Sequence, residues 1–295
     1  MSTGAATLQI MATHVRQTFR VPAALDLAAI DPQGHPIGLI DKAAAAGEMT
    51  ELRTRLEDLQ EALYAEASGA VSRPPGRAVL LVLQGMDTSG KGGVIRHVAG
   101  LVNPQGLQIA SFKKPTEEER AHHFLWRIRK QVPAPGRIGV FDRSHYEDVL
   151  IARVEESVPE AVWRGRYAEI NAFESELAGQ GVTIIKCMLH ISPTEQAKRL
   201  LARLDDPGKL WKYSPVDVGS RARWPQYQVA YADALRHCDS DAAPWYVIPS
   251  DRKWYRNWAI TALLVETLTV MDPQFPPAHV DVDAERARIR ASVVG

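Results

Sequence analysis

The stretch Val79-Leu-Leu-Val-Leu-Gln-Gly-Met-Asp-Thr-Ser-Gly-Lys-Gly-Gly-Val-Ile95 constrains this chain more than any other. An unbroken apolar run leads into Gly85-x-x-x-x-Gly90-Lys91, and a helix-compatible pattern follows. A short run of this kind reads as a strand covered on both faces, the strand of a parallel sheet. Glycines at 85 and 90 let backbone N–H groups turn inward around phosphate oxygens. The helix N-terminus adds partial positive charge, and Lys91 a full one. The plain alternative, a Gly-rich turn with an exposed lysine, does not explain why strand, glycines, lysine and helix come in this order. Gly92 stands where such loops commonly carry Ser or Thr for Mg²⁺, so the metal needs another ligand. Asp87 is the candidate, because a carboxylate that would repel phosphate becomes useful once a cation lies between them.

The rest of the chain fits that start. Apolar runs at 78–84, 108–113, 137–142, 182–190 and 245–249 alternate with helical patterns at 91–102, 117–130, 145–154, 160–178, 193–204, 218–238 and 252–270. This predicts an α/β fold: a parallel sheet of about five strands with helices on both faces, in which ligands bind beyond the carboxyl ends of the strands. Before it, 1–43 reads as irregular, and Met49, Leu52, Leu56, Leu59 and Leu63 mark an amphipathic helix near 44–67. Gly69–Gly76 reads as a linker. The expected division is therefore an N-terminal segment and helical extension, 1–70, and an α/β domain carrying the phosphate-binding loop, 71–295, with a lid near 199–225.

Lys plus Arg equals Asp plus Glu at 35 each, so anionic substrates must meet local rather than global positive charge, and no nucleic-acid partner is expected. Cys187 and Cys238 imply no disulfide framework, and Cys187 reads as a core thiol. The N-terminus has no long apolar h-region and no stretch is apolar enough to span a membrane. A cytoplasmic protein with no membrane partner is the expectation.

Ile138-Gly-Val-Phe-Asp142 is an apolar strand ending in a carboxylate, the arrangement that places Asp142 on Mg²⁺ or its water beside the loop. Arg143 follows as a multi-donor for phosphoryl charge. Ser144 and Glu147 match a capping box, and His145 reads as a helix-surface residue. Arg199 and Arg203 share a helix face near Lys209 and Lys212, beyond a Pro207-Gly208 break, and suit an element that closes over phosphates. Lys113 and Lys114 end the second strand on the loop's edge of the sheet. With Arg127, Arg129 and Lys130 they outline a positive lane for a long anion. Trp211, Trp224, Trp245, Trp254 and Trp258 read as packing residues, and the nine histidines show no metal-site spacing.

Gly85–Gly93, Phe112-Lys-Lys-Pro-Thr116, Phe141-Asp-Arg-Ser-His-Tyr-Glu-Asp148, Asp206-Pro-Gly-Lys-Leu-Trp-Lys-Tyr-Ser214 and Ala243–Trp258 together resemble the polyphosphate kinase 2 family, over about residues 27–272. The resemblance implies a P-loop kinase fold with a helical lid. It also implies Mg²⁺-dependent phosphoryl transfer, with Mn²⁺ as an alternative ion, between inorganic polyphosphate and nucleotides. By motif match it places Asp87 and Asp142 on the metal and Lys91 and Arg143 on phosphates, with Gly85, Gly90 and Gly92 in the cradle. Arg199 and Arg203 then serve the lid. Beside these, Lys209 is a candidate phosphate-binding residue, and Glu147 a candidate to orient the acceptor or a second metal, in competition with its place in the capping box. The Ser-His-Tyr-Glu-Asp run is similar to the subgroup acting on both nucleoside mono- and diphosphates, AMP and ADP here, although that subgroup often has Asn in place of Asp142. The resemblance implies a homodimer or homotetramer. The alternatives are an ATP-dependent nucleoside monophosphate kinase of thymidylate-kinase type, and a non-catalytic nucleotide-binding regulator that would leave the lid arginines and second carboxylate unused.

Overall fold

The computed structural model describes residues 14–38, 41–68, 76–277 and 280–292. The linker expected at Gly69–Gly76, and with it the division at 70/71, falls almost wholly outside the described residues, as does 1–13 of the N-terminal segment. Within the part expected to be irregular, α1 (Val15–Phe19) is a short helix that buries Val15 and Phe19. The amphipathic helix is α2 (Lys42–Ser68). It starts where the Asp41 carboxylate accepts from the N–H groups of Ala43 and Ala44.

Strands β1 (Ala78–Gln84), β2 (Leu107–Ser111), β3 (Ile138–Asp142), β4 (Val182–His190) and β5 (Trp245–Pro249) form one parallel sheet in the order β2-β3-β1-β4-β5. β1 is central and wholly buried. Its alternation divides the core: Ala78, Leu80 and Val82 face one cluster, Val79, Leu81 and Leu83 the other. The first cluster is covered by α6 (Glu147–Val154), α7 (Glu160–Gly179) and α10 (Trp224–Cys238). The second is covered by α2, α3 (Lys91–His97) and α11 (Lys253–Met271). Cys187 and Cys238 are both buried free thiols.

Three expected helices are broken. The one from 91 ends at His97 and continues as a 3-10 turn, Ala99–Leu101, because Val98 leaves helical geometry. The one over 117–130 becomes α4 (Glu117–Ala121) and α5 (Trp126–Arg129), with His122 extended and its ring stacked on Trp126 at 4.0 Å. The one over 218–238 becomes α9 (Pro215–Ala222) and α10, since Pro225 sits in the first turn of α10 and cannot continue a preceding helix. Between β4 and α9 lie α8 (Pro193–Leu204) and the 3-10 turn Pro207–Lys212. At the end, α12 (Val282–Ser292) is a helix that the periodicity had not marked, and it buries no residue. Trp211, expected to pack, is 78% exposed on the turn before α9, whereas Trp245 and Trp258 are buried.

Candidate active site

β1 delivers the chain to a tight turn at the carboxyl edge of the sheet, where the strand order reverses between β1 and its two neighbours. Gly85 (φ 146°) and Gly90 (φ 112°) hold conformations closed to other side chains, and Thr88 (φ 62°) is held in the left-handed region as well. Every carbonyl from Gly85 to Gly90 has a partner. Lys91 Nζ donates to Gly85 O at 2.8 Å. Ser89 N–H donates to Met86 O, and Val94 N–H to Gly90 O. Gln196 Nε2 reaches Asp87 O, Arg199 reaches Thr88 O and Ser89 O, and Arg256 reaches Ser89 O. The N–H groups of Asp87, Thr88 and Gly90 have no acceptor among the described residues. The buried hydroxyls of Thr88 and Ser89 are also unpartnered. Carbonyls tied back and donors left forward make a loop suited to an anion. A Cβ on Gly92 would meet nothing within 4 Å, so Gly92 lies at the open start of α3.

The carboxylate side is built by β3. Its register pairs Asp142 with Leu83, two residues before the loop. Arg143 then turns the chain with φ 65°, a strained conformation for a bulky residue. Its guanidinium spans Asp87 Oδ1 at 2.9 Å and Glu147 Oε2 at 3.2 Å. Burial opposes the Arg143 cation, but Glu147 and Asp87 overcome it and raise its pKa. Burial pushes Glu147 up, against Arg143 and Lys91. Burial pulls Lys91 down, helped by Arg143 and opposed by Asp87, Asp142 and Glu147. The five groups expected at the centre therefore share one electrostatic neighbourhood.

The Asp142 carboxylate makes no hydrogen bond or ion pair among the described residues, and the Asp87 carboxylate commits only Oδ1, to Arg143. Among the described residues no group of three or more His, Cys, Asp or Glu is placed to enclose an ion. Two carboxylates with oxygens to spare fit Mg²⁺, which takes one or two carboxylates and completes its shell with water and phosphate.

Asp87, Arg143 and Glu147 open into a cavity of about 1050 Å³. Lys113 and Lys114 line it, exposed, as does Arg127, which is buried and donates to Lys113 O. Arg129 and Lys130 turn elsewhere, to Glu176 and to the Trp126 ring, so the positive lane is narrower than expected. The far wall carries Asp217 and Tyr231, which the sequence reading missed. Burial raises the Asp217 pKa and nearby Asp87 adds to it, while Arg203 Nη1 pairs with Asp217 Oδ2 at 3.1 Å and works against the rise. A second cavity of about 970 Å³, beside Arg20 and β5, includes none of the expected site residues.

Several expected placements are corrected. The capping box is absent: Ser144 Oγ accepts from Tyr146 N–H and Gln84 Nε2, and Arg143 takes the Glu147 carboxylate. His145 is buried on Glu174, which also accepts from Tyr146 and Lys186. Arg199 and Arg203 diverge: Arg199 is tied to the back of the loop and to Ser250 O and Asp251 O, Arg203 to Asp217 and Lys212 O. Lys209 pairs with Asp206 on the exposed turn, away from the cavity.

The sequence model of the polyphosphate kinase 2 family matches residues 40–276. The chain belongs to that family. It is 49% identical over 235 residues to an "AMP/ADP-polyphosphate phosphotransferase" of Meiothermus ruber, covering 80% of this chain and 85% of the relative. It is 42% identical over 234 residues to an "ADP-polyphosphate phosphotransferase" of Rhodopseudomonas palustris, covering 75% and 78%. Its fold matches a crystal structure of a polyphosphate kinase 2 from Arthrobacter aurescens with a TM-score of 0.89 at 47% identity, covering 94% of this chain and 96% of that one. This membership supports the P-loop kinase-like reading of the five-stranded sheet and does not favour the thymidylate-kinase alternative. Among the described residues no helix is long and apolar enough to cross a membrane.

Proposed function

We propose that this polyphosphate kinase 2 family member transfers phosphoryl groups between inorganic polyphosphate and nucleoside mono- and diphosphates, taking AMP to ADP and ADP to ATP, reversibly. The observation that carries the reading is the electrostatic clustering of Asp87, Lys91, Asp142, Arg143 and Glu147 beyond the ends of β1 and β3, where Asp87, Arg143 and Glu147 line one cavity. The forward N–H groups of the loop and Lys91 bind the terminal phosphates of the donor. Arg143 spans from the loop to the acceptor side and neutralises charge on the transferring group. A phosphate oxygen of the nucleotide attacks the terminal phosphorus in line, and the bond to the next phosphate of the chain breaks. The attacking oxygen is already ionised, so no general base is needed, in keeping with His145 being buried on Glu174. Mg²⁺, with Mn²⁺ as an alternative, would be held by Asp87 and Asp142 and would supply charge neutralisation between donor and acceptor oxygens.

Glu147, beside Arg143, faces the acceptor, and Lys113 and Lys114 contribute to the path of the long anion. The lid arises from Arg203, Lys209 and the segment around α9. The working form is a cytoplasmic homodimer or homotetramer, as the family resemblance implies.

The test is purified protein with Mg²⁺, AMP or ADP, and either polyphosphate or ATP as donor. ADP and ATP formed with polyphosphate, and no AMP phosphorylation with ATP alone beyond back-transfer, is the expected result. Strict dependence on ATP as donor would overturn it.

A further inference from the structure

Two arginines hold the carbonyl side of the loop, and they differ in how their charge is met. Arg199 Nε pairs with Glu195 at 2.8 Å. Arg256 is 2% exposed and has no carboxylate partner among the described residues. Its Nη1 donates to Ser89 O at 3.2 Å, and its Nε and Nη2 donate to Asn257 Oδ1 at 3.2 and 2.8 Å. A buried cation with only neutral acceptors is costly, and folded proteins normally pair one. Burial and the neighbouring Arg199 pull its pKa down to about 10, so it is still charged at neutral pH.

The loop is shaped around this guanidinium. A Cβ on Gly90 would overlap Arg256 Nη1, and one on Gly93 would lie 2.7 Å from Nη2. Glycine at these two positions therefore admits a cation against the backbone from behind, as well as a phosphate from in front. With Ser89 O held back by Arg256 and Arg199, the same peptide unit must present Gly90 N–H to the opposite side.

We propose that Arg256 is a positioning residue of the phosphate-binding loop, which orients the Ser89–Gly90 peptide and whose missing counter-charge is supplied by the phosphates of the bound donor. The proposal rests on the phosphotransferase reading of this loop. It predicts opposite signs for two quantities. Removing the charge relieves a cost in the protein alone, yet weakens the hold on phosphate. A residue needed only for packing would lower stability and leave the affinity of the folded protein unchanged.

Titration calorimetry with inorganic tripolyphosphate in Mg²⁺ buffer, on the wild type, Arg256→Met and Arg256→Lys, tests this alongside melting curves taken without tripolyphosphate. Arg256→Met is expected to bind roughly ten-fold or more weakly, as for loss of a charged hydrogen-bonding partner, with an unchanged or raised Tm. Arg256→Lys should recover part of the affinity. Wild-type affinity in Arg256→Met overturns the proposal. If Arg256→Met loses both stability and affinity, recovery of affinity in Arg256→Lys supports the proposal and no recovery overturns it. Failure of both variants to fold makes Arg256 a structural residue and also overturns it. If the wild type itself does not bind tripolyphosphate, the reading of the loop fails and the proposal falls with it.

Discussion

The loop from Gly85 to Gly90 and the segment from Asp205 to Arg223, which is built of a 3-10 turn and α9, are placed at the same cavity, but they are held in opposite ways. The loop is mostly buried, and each of its carbonyls is occupied by partners from its own turn, from α3, from α8 and from α11. The later segment exposes Trp211, Leu210, Val216 and Val218, and most of its bonds are to itself or to α8: Lys209 to Asp206, Trp211 to Gly208 O, Arg203 to Asp217 and Arg221 to Pro193 O. A site that recognises charge benefits from donors fixed in advance, since no ordering cost is then incurred on binding. A segment that closes over a substrate must come from the weakly held part of the fold. The difference implies that changes in the loop strike catalysis with the fold intact, and that changes in the later segment alter closure with little effect on stability.

The hardest test of that contrast is Lys91→Met. It should cost roughly a hundred- to a thousand-fold in kcat, the scale for losing one preorganised charge-stabilising group, while the melting temperature stays near the wild-type value. Near-normal kcat would remove the loop from the chemistry. Next are the two carboxylates. Asp142→Asn should move the Mg²⁺ titration of activity upward by at least the roughly ten-fold that loss of an outer-shell partner costs a metal site, with little change in Tm, because the Asp142 carboxylate has no hydrogen bond or ion pair among the described residues to lose. Asp87→Asn should shift the titration too and also lower Tm, because Arg143 loses an ion pair. Activity that survives excess chelator would refute the metal role of both.

Glu147→Asn sharpens the acceptor side. It should depress AMP use more than ADP use, since Glu147 is held by Arg143 at the cavity rather than spent on a helix cap. An unchanged AMP:ADP ratio, with a lowered Tm, would reduce Glu147 to a structural partner of Arg143. In the exposed segment, Trp211→Phe should stay within about 0.5 kcal/mol of wild-type stability and abolish a polyphosphate-induced change in tryptophan fluorescence. If the wild type shows no such change, the segment does not close around this residue. The smallest effect is expected at Gly92→Ala, which should raise stability by about 0.5–1 kcal/mol, the helical cost of glycine, because the added methyl meets open space. A lower Tm would contradict that open geometry.

Much of the site could be read from the chain because its chemistry is local. Strand, glycines, lysine and helix are consecutive, and a strand that ends in a carboxylate places it at the sheet's edge whatever surrounds it. The breaks in the expected helices were partly legible too: Pro225 announces one, but the His122–Trp126 stack exists only once the chain has folded back on itself. His145 was misplaced for a related reason. Neighbouring residues 144 to 148 look alike in hydropathy, and only packing against Glu174 on α7 and Lys186 on β4 decides which of them turns inward.

By itself, then, the sequence determined the parallel sheet and its phosphate-binding loop. It also determined which residues, Asp87, Lys91, Asp142 and Arg143, stand at the ends of β1 and β3, since alternating burial and consecutive spacing suffice for that. Only the tertiary structure decided what lies behind and across from them. Arg199 and Arg256 meet the loop from 110 and 167 residues away, and Asp217 comes beside Asp87 because α9 folds over the cavity. No local pattern encodes such meetings. They depend on which face each helix turns to the sheet, and that is settled by burying its apolar side against the two halves of the core.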